Sequence, residues 1–205
     1  MKKSVIVFIT ILSLSLIFTS CSVLNTITNL QKLKFKINGI SDFKVSGVSL
    51  SGKSSISDFG FADALKLKNL LSGSSFPVQF ILDLEAYNPN DGKTTPVKTD
   101  ATISSMQWWL YIDNVQTISG NIASPITVPA TGQSIVIPLT MKLDLYTFFK
   151  DKGLTRLLEL AFSLGGMKSD LTHVKLEVQP TVQTIFGAIS YPGRLTVIDK
   201  EYSKQ

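Results

Sequence analysis

The chain has 205 residues, of which 44% are hydrophobic and 17% charged, and a formal net charge of +5 at pH 7. This apolar fraction argues against an intrinsically disordered chain, and the length suits one domain with a well-formed core. The charge is mild and no basic cluster is interleaved with aromatic residues, so the composition argues against a nucleic-acid partner.

The start of the chain predicts a secretory signal that ends at the single cysteine. Two lysines give a positive start, an apolar run covers residues 5–18, and the small residues Thr19 and Ser20 lead into Cys21. The apolar run is too short for the ~20 residues that a membrane-spanning helix needs. Removal of residues 1–20 takes away those two lysines and no acidic residue, so the net charge falls from +5 to +3.

Residues 18–21, Phe-Thr-Ser-Cys, also resemble a bacterial lipobox, whose cysteine carries a diacylglycerol thioether and often a third, amide-linked chain. The resemblance implies that Cys21 is the lipidated residue and that a membrane is the partner. A single acyl chain binds only reversibly, whereas two or three chains give stable attachment. Ser22, rather than an aspartate, favours sorting to the outer membrane, and the lack of a following acidic run favours the periplasmic side. An ordinary signal peptide with a chance cysteine is the alternative.

The domain organisation follows from this start. Residues 21–32 are expected to hold the lipidated cysteine and a short polar tether, whose 22–32 segment would reach about 36–40 Å when fully extended. Residues 33–205 are expected to form a single domain, since no internal repeat or second boundary is visible. Any partner would then be met close to the bilayer.

Alternation of apolar and polar residues with a period of two dominates beyond the tether and predicts half-buried strands. It begins at Leu33, is longest over residues 76–86, 106–112 and 135–145, and returns at 174–178 and 195–197. Turn residues such as Ser119-Gly120 and Tyr191-Pro192-Gly193 separate these runs. The pattern favours a mainly β fold, a mostly antiparallel β-sandwich, over a barrel.

Two segments keep a helical spacing instead. The first covers residues 61–72 and ends near Gly73, with a stripe formed by Phe61, Ala64, Leu65, Lys68 and Leu71. The second covers about 147–163, where Leu154, Leu157, Leu158 and Ala161 oppose charged residues and Gly165-Gly166 provides a stop. We therefore expect two helices packed on the sandwich.

The region from Phe76 to Leu145 carries an ordered set of short motifs. A long strand ends in Asn88-Pro89-Asn90, the next strand is followed by Ser119-Gly120, and residues 129–132, Pro-Ala-Thr-Gly, lead into a strand that contains Pro138. This order resembles the late-embryogenesis-abundant (LEA) type 2 family, also called the WHy domain. The resemblance implies an antiparallel Greek-key β-sandwich of the fibronectin or immunoglobulin type, without established catalytic residues. It also implies an association with desiccation and stress tolerance, and related domains have been proposed to handle lipids.

The Asn88-Pro89-Asn90 motif is interpreted as a structural turn. Proline cannot donate to a ladder and so ends the strand, and each asparagine side chain can bond its own backbone two residues further on. For the same reason, Pro138 inside a regular strand pattern predicts an edge strand or a bulge.

The residue inventory offers little for catalysis. After Cys21 the chain has one histidine, His173, which lies on the polar side of its strand pattern. The Gly-x-Ser-x-Gly, HExxH, phosphate-loop and calcium-loop motifs are missing from the sequence. Asp83 and Glu85 share the solvent side of one strand, where two carboxylates are usually just solvated. We therefore expect a non-enzymatic protein with no catalytic residue, cofactor or metal site.

Aromatic residues on the outward side of two strands predict a contact surface. Adjacent strand residues point to opposite faces, so Trp108 and Trp109 cannot both enter one core. The pattern places Trp108 inward and Trp109 and Tyr111 outward, with Ile81 and Tyr87 outward on their own strand. Either a helix covers this face or it is an apolar patch that contacts a protein, lipid or other ligand.

Three functions remain open at this point. The first is a binding or stress-protective module anchored to the outer membrane and facing the periplasm. The second is a carrier of lipid or another apolar ligand in a groove between the sandwich and a helix. The third is a docking subunit of an envelope complex, and an enzyme is the least favoured reading.

Overall fold

The computed structural model describes residues 33–70, 72–93, 98–165, 174–184 and 187–197. Cys21, the tether and His173 therefore lie outside the described residues. The strands are β1 (Lys34–Val45), β2 (Val48–Ser49), β3 (Pro77–Tyr87), β4 (Ala101–Ile112), β5 (Val115–Asn121), β6 (Ile126–Val128), β7 (Ser134–Asp144), β8 (Val174–Thr184), β9 (Gly187–Ser190) and β10 (Leu195–Val197). The helices are α1 (Phe61–Leu70), α2 (Leu145–Phe149) and α3 (Leu154–Gly165), with 3-10 turns at Ile56–Asp58 and Lys150–Lys152.

Two antiparallel sheets form the body of the molecule. One has the order β2-β1-β3-β7, and the other has the order β10-β8-β4-β5, with β6 also paired to β4 and β9 to β8. The chain crosses between the sheets from β3 to β4, from β6 to β7 and from β7 to β8. The strand pattern predicted the sandwich, and the crossings give it the Greek-key connections that the family resemblance implied. The expected fold class is confirmed.

One hydrophobic cluster fills the space between the sheets. Every second residue of β3 is buried, from Val78 to Ala86, and β4 buries Met106, Trp108, Leu110 and Ile112 in the same way. All of them belong to a single cluster that includes both sheets and the helices. Burial of each large apolar side chain contributes about 1.5–3 kcal/mol, so this period-two pattern is the main reason that the two sheets pack together.

Strand β7 is the last strand of the four-stranded sheet. Pro138 lies within it, opposite Asp83 of β3, and is exposed. A proline is tolerated in an edge strand, where a residue without an N–H need not break the ladder. The prediction that Pro138 marks an edge strand is confirmed.

Helix α3 is part of the core. Its buried residues are Leu157, Leu158, Leu160, Ala161, Leu164 and Gly165. Gly165 lies against β1, where an added Cβ would be 2.2 Å from Cγ of Phe43. Only glycine allows the helix to approach this ring so closely, so Gly165 serves packing as well as marking the end of the helix.

The second helical segment is divided into parts. It was predicted as one helix over about 147–163, but α2 and α3 are separated by the 3-10 turn and by Gly153, which has a φ of 77°. Helix α2 begins earlier than expected because Asp144 caps it: its Oδ1 accepts the Tyr146 N–H at 2.9 Å.

Helix α1 forms as predicted, but its buried side differs from the prediction. Leu67 is its buried residue, whereas Phe61 is 86% exposed and Leu65 is 46% exposed. The segment also has a second apolar stripe, formed by Ala64, Leu67 and Leu70. Packing of the helix against β2 and against the 3-10 turn at Ile56–Asp58 selects this second stripe. Gly73 was expected to cap the C-terminal end of this helix. Its N–H donates to the Leu70 carbonyl at 3.1 Å, but Gly73 does not have a left-handed φ. Leu71 lies outside the described residues.

Candidate functional site

The four residues predicted as a contact surface lie on two different faces. Trp109 and Tyr111 belong to β4 in the six-stranded sheet, and Ile81 and Tyr87 belong to β3 in the four-stranded sheet. Each pair is on the outer face of its sheet, as the alternation predicted. The two outer faces are on opposite sides of the sandwich, so the four residues do not form one surface.

On the outer face of the six-stranded sheet, a cation covers each of the two aromatic rings. The guanidinium carbon of Arg194 lies 3.7 Å from the centroid of the Trp109 ring, and Lys175 Nζ lies 4.0 Å from the centroid of Tyr111. Cation–π contacts of this kind contribute about 0.5–1 kcal/mol at exposed sites. They fix the orientation of both rings at the surface.

Glu177 ties these side chains together. Its Oε2 accepts the Tyr111 hydroxyl at 2.9 Å and Arg194 Nη1 at 3.2 Å, and its Oε1 accepts Lys175 Nζ at 3.3 Å. Partial burial opposes ionisation, but the hydrogen bonds from Tyr111, Arg194 and Lys175 outweigh it and lower the pKa of Glu177. The carboxylate therefore stays charged and holds both cations over the rings. We name Trp109, Tyr111, Lys175, Glu177 and Arg194 the aromatic–cation cluster.

A covering helix was one of two expectations for this face, and an exposed apolar patch was the other. Helix α3 packs against β1 and contributes to the shared core. Arg194 lies over the ring of Trp109 and Lys175 over the ring of Tyr111, and the Tyr111 hydroxyl also donates to Oε1 of Gln116 at 3.1 Å. Among the described residues, the larger contacts of the helices with strands are with β1, β2 and β3 and not with β4, so the structure does not favour a helix over Trp109.

The outer face of the four-stranded sheet is more polar. Ile81 lies between Ser41 and Thr140 in the ladder, and Ser41 donates to Asp83 at 3.1 Å. Glu85 pairs with Lys36 at 3.1 Å. The two acids on this strand thus have separate partners. The Glu85 side chain is only 12% exposed, so it is held in an ion pair rather than freely solvated as the sequence pattern predicted.

The Asn88-Pro89-Asn90 turn joins the two sheets. Asn88 is fully buried, and its Nδ2 donates to the carbonyls of Thr99 at 2.9 Å and Val128 at 3.0 Å. Its Oδ1 accepts the backbone N–H of Asn90 at 3.1 Å, which is the turn predicted for the first asparagine. The Asn90 side chain instead donates back to Asn88 Oδ1 at 2.8 Å. Since β3, β4 and β6 meet at Asn88, the structural interpretation of this motif is favoured.

The remaining sequence predictions concern metal binding, membrane-spanning helices, Cys21 and His173. Within the described ranges, no group of three or more histidine, cysteine, aspartate or glutamate residues is placed to hold a metal ion. Among the helices of the described residues, none is long and apolar enough to cross a membrane. The lipidation of Cys21 and the surface character of His173 stay predictions.

Sequence reasoning missed the partners of the two aromatic residues. Alternation placed Lys175 and Glu177 on the solvent side of their strand, but it did not relate that strand to β4. In the structure Trp109 pairs with Glu177 and Tyr111 with Lys175 across the β4–β8 ladder. Arg194 follows a turn and reaches Glu177 from the start of β10, which no local signal indicates.

Comparison with known proteins adds little. Neither a family model nor a curated protein matches the chain. A solved structure described as the crystal structure of a protein from Archaeoglobus fulgidus is similar over 63% of this chain and 86% of that chain, with 10% identity and a TM-score of 0.34. A similarity of this extent carries no argument about function, and the LEA type 2 resemblance stays a prediction.

Proposed function

We propose that the protein is a non-enzymatic lipoprotein of the bacterial envelope, with a LEA type 2-like domain that binds a partner through the aromatic–cation cluster. Acyl chains on Cys21 would anchor it to the outer membrane, where the domain faces the periplasm. The binding event would serve the stress-protective role that the family resemblance implies. The observation that carries the proposal is the stack of Arg194 on Trp109, held by Glu177.

The chemistry of this cluster suits recognition. Tryptophan, tyrosine and arginine are the residues that most often dominate binding energy at protein interfaces. Here the rings and cations are already held by one carboxylate before any partner arrives. Such preorganisation lowers the conformational entropy lost on binding, so a modest contact area can suffice.

The two alternative functions are a docking subunit of an envelope complex and a carrier of lipid. A docking subunit of an envelope complex would use the same cluster and differs only in the permanence of the partner. A lipid carrier would need a groove between the sandwich and a helix. Leu157 and Leu158 of α3 pack directly into the shared core, an arrangement that does not favour the carrier.

Site-specific photocrosslinking in cells that make the lipidated protein tests the proposal. A photoreactive residue replaces Ser119, which pairs with Trp109 and is exposed, and in a matched control it replaces Thr140 on the opposite outer face. We expect a reproducible protein adduct at position 119, lost when Trp109→Ala is added, and not formed at position 140. Circular dichroism and thermal melting verify that the Trp109→Ala variant remains folded.

Two outcomes would contradict the proposal. Equal adducts at positions 119 and 140, or adducts unaffected by Trp109→Ala, would remove the cluster as the contact site. Recovery of the wild-type protein from the soluble fraction, without acyl groups on Cys21 by mass spectrometry, would remove the membrane anchor.

A further inference from the structure

Helix α1 presents an apolar tip to solvent. Phe61 is 86% exposed and Leu65 is 46% exposed, and the two lie one helical turn apart on the same side of the helix. Leu67, on the other side, is fully buried and attaches the helix to the core. Packing therefore holds the tip outward in a fixed orientation.

The positive charge of the sequence is concentrated in the segment that runs from residue 32 to the end of this helix. Residues 32–70 contain seven lysines and three aspartates, whereas residues 71–205 contain eleven basic and twelve acidic residues. Near the tip, Asp63 pairs with Lys66 at 3.4 Å, and the Asp58 carboxylate accepts the backbone N–H groups of Ser54 and Ser55. Lys68 is exposed in the last turn of α1. Lysines beside an apolar surface are attracted to the phosphates of an anionic membrane, so the charge of this segment favours such a partner.

Strands β1 and β2, at one edge of the four-stranded sheet, link α1 to the start of the described chain. Helix α1 contacts β2, which pairs with β1 through Lys44 and Val45 at the far end of that strand. The other end of β1 begins at Lys34, close behind the tether. A molecule that lies on its β1–β2 edge can therefore bring the tether and α1 to the same plane.

We propose that α1 is a second membrane contact, in which Phe61 and Leu65 enter the headgroup region of an anionic bilayer while the surrounding lysines meet the phosphates. This inference rests on the proposed lipid anchor at Cys21. The anchor keeps α1 within tens of ångströms of the bilayer, so its effective concentration at the surface is high and a weak contact is enough. The result would be a fixed orientation, with the aromatic–cation cluster turned towards the periplasm or along the membrane.

A fluorophore on α1 tests this contact in the full lipidated protein. Ala62 is exposed beside the tip, and Ala62→Cys supplies the only free thiol if Cys21 is acylated. The control is Val136→Cys on β7, an exposed apolar position at the opposite edge of the same sheet. Both labelled proteins are reconstituted into phosphatidylethanolamine–phosphatidylglycerol vesicles that contain lipids with a nitroxide quencher near the headgroup.

We expect quenching at position 62 and not at position 136. The quenching should be lost with Phe61→Ser and Leu65→Ser together, and reduced with Lys66→Gln and Lys68→Gln together or in phosphatidylcholine vesicles. All of these positions are exposed, so the variants should fold as the wild type does.

The outcomes separate this inference from the anchor. Protein that floats with the vesicles but shows no more quenching at 62 than at 136 overturns the membrane contact and leaves the anchor intact. Protein that does not float with the vesicles overturns the anchor and this inference with it. Energy transfer between labels at position 62 of two molecules, without quenching by lipid, assigns the tip to a second copy and also overturns the inference.

Discussion

Gly120 lies directly across the β4–β5 ladder from Trp108, and a Cβ added to it would be 2.3 Å from Cζ2 of the indole. Gly120 does not have a left-handed φ, so backbone freedom is not the reason for this residue. The glycine provides the space in which the buried indole lies flat against the neighbouring strand. The Ser119-Gly120 motif, first noticed as a turn signal, is thus a packing motif inside a strand.

Gly120→Ala is therefore expected to destabilise the protein. The methyl group must displace Trp108 within a filled core, and overpacking of this kind costs about 1–3 kcal/mol. Urea unfolding of the two proteins measures the difference. Gly193→Ala is the control, because a Cβ there meets nothing within 4 Å and the change should be close to neutral.

Asn88→Asp should destabilise the fold more than a surface change of the same kind. The amide donates to two carbonyl oxygens, and a carboxylate at the same place would face both of them without a proton to donate. We expect a loss of at least about 2 kcal/mol at pH 7, since the penalty for a buried unpaired group is larger when it is charged. Thermal unfolding against Asn38→Asp, at an exposed position of β1, provides the comparison. Equal melting temperatures for the two variants would contradict the role of Asn88 in joining the sheets.

The aromatic–cation cluster should respond to acid. Partial burial of Glu177 is outweighed by its hydrogen bonds, so its pKa is lower in the folded protein than in the unfolded chain. A group of this kind stabilises the fold above the unfolded pKa, about 4.3 for glutamate, and the stabilisation disappears as the pH falls through the folded pKa. The free energy of unfolding of the wild type should therefore drop below about pH 4.3 more steeply than that of Glu177→Gln. Parallel pH profiles would show that Glu177 is not linked to folding.

Asp144 should be important for the start of α2. Its carboxylate caps the helix through Tyr146 and also accepts the Phe76 N–H at 2.6 Å and the Ser75 hydroxyl at 2.6 Å. Asp144→Ala removes a helix cap, for which the cost is about 0.5–2 kcal/mol, and leaves the Phe76 amide without this acceptor. Chemical denaturation should place the loss at or above the upper end of that range. Asp151→Ala, at an exposed position of the 3-10 turn, is expected to change stability by less than about 0.5 kcal/mol.

The sequence predicted the strands and the core well because these depend on local geometry. Side chains alternate along any strand, so the parity of Trp108 or Leu110 identifies an inward position without knowledge of the partner strand. Helix α1 shows where this reasoning fails. Its ten residues carry two apolar stripes, and nothing in the segment itself states whether Leu65 or Leu67 will meet the core.

The sequence by itself determined the mainly β fold class, the inward and outward residues of the long alternating strands, the choice between an edge strand and a bulge at Pro138, and the expectation of a lipid anchor at Cys21. Only the tertiary structure decided that Trp109 and Ile81 lie on opposite faces, and that Arg194 and Glu177 complete the surface around Trp109. Alternation fixes which side of a strand a residue occupies, but pairing between distant strands fixes which sheet the strand joins. That pairing depends on the packing of the whole core, so the candidate site exists only once the chain has folded.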